Sequence, residues 1–205
     1  MDGMNSALPE GANSHTMRPR HFTLSALLPL VSLLLALPAS AHHLPPGLEE
    51  IDEFSDGASF MMGVNHPLSG WDHLAVALLT GVVAAKLGAR GRKVLPLAAM
   101  IALAFGMIVP ALPWTEPVLL SSVAGAALVA WMRRGLALQA GAAALVVFQM
   151  WHGNAHALET PVNAGRVLFL TGSAAGTLIP VILGLALTIL IRRWMPEPQS
   201  AEQPV

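Results

Sequence analysis

The sequence has no cysteine and little charge. Without cysteine there is no disulfide framework, no thiolate metal site and no covalent haem-attachment motif. A metal ion must then be held by His, Asp, Glu, Met or backbone groups. Charged residues make up 11% of the 205 positions, where a soluble domain carries about 25%. The net charge of -1 leaves no basic footprint for nucleic acid. The phosphate-binding pattern G-x-x-x-x-G-K-[ST] is missing, so ATP hydrolysis is not encoded, and the metalloprotease pattern H-E-x-x-H is missing too; no enzyme is expected. What it does have is 54% hydrophobic residues, a mean hydropathy of +0.60 and eight histidines.

The front of the chain reads as a targeting segment. Met17-Arg-Pro-Arg-His is basic, Phe22 to Leu37 is apolar, and Ala39 and Ala41 form an A-x-A cleavage signal. Residues 1–41 are thus expected to be a leader and signal peptide, with Met1 or Met17 as the native start. Cleavage after Ala41 would leave His42-His43 outside, followed by Glu49, Glu50, Asp52, Glu53 and Asp56 without a balancing base. This exported arm, residues 42–58, reads either as a solvated acidic linker or as a funnel that collects cations.

Five apolar stretches follow: Pro67–Gly88, Val94–Leu112, Glu116–Met132, Leu136–Trp151 and Ala164–Ile191. Each is near the length needed to cross ~30 Å of hydrocarbon at ~1.5 Å per residue. The last has room to bend at Pro180, and Gly172-x-x-x-Gly176 within it suits close helix packing. The fold class expected is an all-α integral membrane protein, with a helical bundle over 59–193 and a cytoplasmic tail over 194–205. The loops alternate. Lys86, Arg90, Arg92 and Lys93 lie between the first two stretches, Arg133 and Arg134 between the third and fourth, and Arg192-Arg193 after the last. The segments Pro113–Pro117 and His152–Asn163 carry no base. By the positive-inside rule the mature N-terminus is periplasmic and the C-terminus cytoplasmic, in a bacterial inner membrane. Arg166 is the exception, near an outer end, where Glu159 or Asp72 would be its partner.

This topology puts His42, His43, His66, His73, His152 and His156 on one side. Only twelve apolar residues separate His73 from Lys86, and in a helix these reach ~18 Å. The first helix must therefore begin before His73, with Pro67 at its first position, sinking Asp72 and His73 below the membrane surface. An intramembrane carboxylate costs ~2.5 kcal/mol or more unless it meets a partner. Ser69-x-x-Asp72 offers one explanation as a capping box. It leaves His66 and His73 unexplained, seven residues apart on one helix face, and His152 and His156, four apart on another. Imidazole with carboxylate suits nickel, zinc, cobalt or copper. Asp72 either binds the ion or orients an imidazole that does. Asn65, Asn154 and Glu159 are further oxygen or amide candidates, and Met61 and Met62 read as membrane-surface residues.

The stretch His66-Pro67-Leu-Ser-Gly70-Trp-Asp72-His73 resembles the signature of the HupE/UreJ family of nickel permeases. His152-Gly153-Asn-Ala-His156-Ala-Leu-Glu159 is similar to that family's second motif, HGxAHGxE. The resemblance implies nickel uptake supplying hydrogenase or urease maturation, with no permanently bound cofactor. It carries metal-ligating roles onto His66, Asp72, His73, His152, His156 and Glu159, and onto His42 near the mature N-terminus. The chain departs from the family in having Asn154 between the paired histidines and no histidine around Thr177-Leu-Ile-Pro180. Cobalt or copper are the substitute ions. The rivals are a membrane haem protein with His73 and His152 as axial ligands, and an intramembrane metallohydrolase with Asp72 or Glu159 as base.

Overall fold

The structure is a computed structural model that describes residues 53–133 and 135–194. The signal peptide, His42, His43, Glu49, Glu50, Asp52, Arg134 and the tail beyond 194 lie outside the described residues. The described residues are helical and contain no strand. Six helices run in order: α1 (Asp56–Ser69), α2 (Trp71–Lys86), α3 (Gly88–Ile108), α4 (Thr115–Trp131), α5 (Leu136–Leu158) and α6 (Arg166–Trp194). Among them α3, α5 and α6 are long and apolar enough to cross a membrane. Helices α1 and α2 reach that standard only as a pair, bent by 77° at their junction, and α4 is an apolar helix of 17 residues.

The bent pair corrects the expected first helix. It was to run from Pro67 to Gly88 without a break, but Pro67 lies inside α1 and the chain turns at Gly70. The end of α1 is closed locally: the Gly70 and Ser69 side of the turn returns two hydrogen bonds to the His66 carbonyl, from Gly70 N (3.1 Å) and Ser69 Oγ (3.1 Å). Ser69 is thereby used backwards, and α2 starts at Trp71 behind Gly70, with no side-chain cap. The Ser69–Asp72 capping box does not form. The start of α1 is capped by Ser55, whose Oγ accepts from Ala58 N at 3.3 Å. It is tied to the segment before α6 by Phe54 N to Asn163 O (3.0 Å) and Gly165 N to Ser59 Oγ (2.9 Å).

Helix α6 packs along both α1 and α2, and α3 packs along α5. In a bilayer there is little hydrophobic drive between helices, so close backbone approach decides which faces meet. Gly172 lies against the Phe60 backbone and Gly176 against Val64 and Pro67, so the predicted small-residue pair is the seat of α1. Gly153 lies on the Leu103 carbonyl and Gly106 on the Met150 carbonyl, a reciprocal contact that locks the end of α5 to α3. The last stretch is one helix of 29 residues with Pro180 inside it.

Boundaries differ from expectation at two other places. Gly88, at φ +77°, lets α3 begin after a single intervening residue, so Arg90, Arg92 and Lys93 lie on a helix and not in a loop. Helix α5 continues through His152 and His156 to Leu158, where a loop was expected after Trp151. At the other end of the bundle, Lys86 Nζ donates to the Ala130 and Met132 carbonyls and Arg192 reaches the Ala85 carbonyl. These cations complement the negative ends of α4 and α2.

Candidate metal site

Three helix ends meet opposite that basic end. Helix α1 finishes there, α2 begins there, and α5 arrives with its last two turns. His66 comes from the last turn of α1, Asp72 and His73 from the first turn of α2, and His152 and His156 from α5, with Glu159 as its C-cap. All five of the His and Asp side chains are buried.

The break at Gly70 is what brings His66 to His73. In one continuous helix, seven residues would separate them by ~10.5 Å along the axis. Their ring centroids instead lie 5.6 Å apart. His156 completes the group, 5.0 Å from the His66 ring and 4.6 Å from the His73 ring. Glu159 Oε2 lies 2.7 Å from His66 Nε2. One ligand atom from each of His66, His73, His156 and Glu159 falls within 4.8 Å of the others. Two ligands on opposite sides of one ion, each ~2.1 Å from it, are ~4.2 Å apart. Closing the widest of these separations by at least about half an ångström would turn this group into a coordination shell.

Hydrogen bonds set which ring nitrogens carry lone pairs. The Asp72 carboxylate can only accept, so His73 Nδ1–H donates to Asp72 Oδ1 at 3.0 Å and His73 Nε2 keeps its lone pair. That Nε2 is buried with no hydrogen-bond partner, as are both ring nitrogens of His156. Buried nitrogens of this kind carry a desolvation cost unless something binds them. Asp72 stands where a carboxylate orienting a metal-bound histidine would stand.

His152 is held differently. Its Nε2 lies 2.9 Å from Ser122 Oγ, and that hydroxyl donates to the Leu119 carbonyl at 2.6 Å. Nε2 is therefore the protonated nitrogen of His152, which leaves Nδ1 as acceptor. The His152 ring touches His73 at 4.8 Å but lies outside the four-ligand group. Ser122, buried in the middle of α4, is a contributor that no sequence motif marks. Phe169 is another: its ring lies 5.5 Å from His66 and closes the α6 side.

Other candidates fall elsewhere. Asn154 is a clamp, accepting from Leu112 N at 2.9 Å and donating to the Gly106, Val109 and Pro110 carbonyls at 3.1, 3.3 and 3.2 Å. It fixes the turn between α3 and α4 to α5. Asn65 and Met61 are exposed on α1. Arg166 is exposed at the start of α6, while the carboxylates expected to pair with it face His66 and His73 instead.

Electrostatics at the site favour a cation. The C-terminal ends of α1 and α5 bring partial negative charge, the N-terminus of α2 opposes it, and the Asp72 and Glu159 carboxylates tip the balance toward a cation. Three imidazoles with one carboxylate form a set for borderline transition metals, and not for magnesium or calcium.

The family model described as HupE / UreJ protein matches residues 30–202. A relative named Protein HupE, from Rhizobium leguminosarum bv. viciae, is 29% identical over 160 residues, covering 76% of this chain and 80% of its own. No solved structure matches. Both sequence motifs and the helices that carry them fall within the matched span, and the chain belongs to the HupE/UreJ family.

Proposed function

We propose that this protein is a permease that brings a divalent transition-metal ion, nickel first among them, across the bacterial inner membrane toward the cytoplasm. The observation that carries this reading is the group of the buried His66, His73 and His156 with the part-buried Glu159, and with Asp72 orienting His73. The α1–α2 pair serves as one broken crossing, and α3, α4, α5 and α6 supply four more, with the metal group at the periplasmic end. Broken helices whose ends face a cation are a recurrent device of membrane transporters. An inside-negative potential favours entry of a doubly charged ion by ~4.6 kcal/mol per 100 mV. The exported arm with His42 gathers the ion, and the cargo supplies hydrogenase or urease maturation, as the family resemblance implies.

The haem reading is disfavoured by geometry. The His73 and His152 rings are in edge contact at 4.8 Å and 89°, which leaves no gap for a macrocycle between them. The test is uptake of labelled nickel, cobalt, zinc and copper by cells with and without the protein. Nickel uptake that depends on the protein, and falls at least tenfold in a His73→Ala, His156→Ala double variant, is the expected result. Uptake equal in the two strains would rule the reading out.

A further inference from the structure

The four-ligand group lies at one end of the bundle, and an ion bound there still has most of the membrane to cross. One buried polar group deeper in the bundle has no role in the site described: Gln149, which is 2% exposed. It stands on α5 three residues before His152 and seven before His156. Those spacings return to nearly the same helix face. Because α5 ends at the metal group, Gln149 lies ~4.5 Å deeper than His152 and ~10.5 Å deeper than His156.

The two buried amides of α5 contrast. Asn154 is saturated by four backbone groups. No hydrogen bond holds the Gln149 side chain among the described residues, and its amide atoms are not among those sealed off without a partner, as the site's ring nitrogens are. In a bilayer such an amide is costly to keep unless an ion or water visits it. Helix α2 repeats the pattern. Seven residues beyond His73, on the same face, Thr80 is fully buried, and its hydroxyl donates to the Val76 carbonyl at 2.8 Å. Its oxygen lone pairs stay available to a cation or to the water a cation carries.

We propose that Gln149 forms the next station on the ion's inward path, receiving it from the imidazoles of His152 and His156, with Thr80 a further oxygen donor along α2. The amide oxygen is a neutral donor and a weaker one than imidazole for these metals. A station of that kind takes the ion without trapping it, which a multi-site path requires. His152, which touches His73 but lies outside the outer group, stands between the two stations.

This inference rests on the permease reading, and the experiment separates the two. The full-length protein and its Gln149→Leu and Thr80→Val variants are placed in proteoliposomes, and nickel affinity, nickel flux and melting temperature are measured. Wild type that neither binds nor carries nickel would defeat the permease reading itself. With wild type active, Gln149→Leu is expected to bind nickel within twofold of wild type, to melt no lower, and to carry nickel at least tenfold more slowly. A glutamine that merely supports the fold would lower the melting temperature when replaced. Flux at the wild-type rate, or loss of flux together with loss of binding and stability, would overturn the station.

Discussion

The histidines divide by the state of their ring nitrogens, and this separates their roles. His73 has its Nδ1 fixed by Asp72 and offers Nε2, so the two residues act as ligand and orienting partner. Replacing Asp72 with Asn should weaken metal binding by about 10- to 100-fold, the usual effect of removing a partner behind a ligand. His73→Ala should abolish it, as measured by nickel titration of the purified protein. Equal losses in the two variants would make Asp72 a ligand. Asn154 belongs to the fold. Asn154→Ala leaves Leu112 N without its side-chain acceptor and should cost about 1–3 kcal/mol, seen as a lower melting temperature. The residue types of the site were legible in the sequence, since the motifs name His66, Asp72, His73, His152, His156 and Glu159. Their grouping was not. His152 is drawn aside by Ser122, a serine on α4 thirty residues away, and only the packing of α4 on α5 reveals it.

The helices were legible where apolar length alone decides, as in α6, and misread where a turn intervenes. Twelve apolar residues between His73 and Lys86 indicated that the helix needed more length at its outer end. The structure supplies that length as a second helix set at 77°, because Gly70 ends α1 and the His66 carbonyl is closed by the turn itself. The same turn makes the site, by replacing a ~10.5 Å axial separation with a contact. The α3–α5 seam gives a test at this level. A side chain at Gly153 would run into the Leu103 backbone carbonyl, which cannot move aside as a flexible side chain does. Gly153→Val should therefore part α3 from α5, destabilise the protein by about 1–3 kcal/mol or more, and displace His152 and His156 on either side of it. Retained melting temperature and nickel binding in that variant would show the seam to be dispensable.

The bundle has two chemically different ends. One gathers imidazoles, carboxylates and helix C-termini; the other holds Lys86, Arg133 and Arg192. The alternation of basic and non-basic segments made this division legible in the sequence. The depth of the site was not, since it depends on how α1 folds against α6. The missing cysteines now become useful, because any introduced thiol is the sole one. Val162→Cys, fully exposed between α5 and α6, should react with a membrane-impermeant maleimide in spheroplasts, and Arg133→Cys only after lysis. The reverse pattern would invert the proposed topology. The most direct test of the metal site is X-ray absorption of nickel bound to the purified protein in nanodiscs. One ion per chain is expected, with three imidazole nitrogens and a carboxylate oxygen in wild type and one imidazole fewer in His156→Ala. An unchanged ion count and an unchanged imidazole shell in the His73→Ala, His156→Ala double variant would place the metal elsewhere.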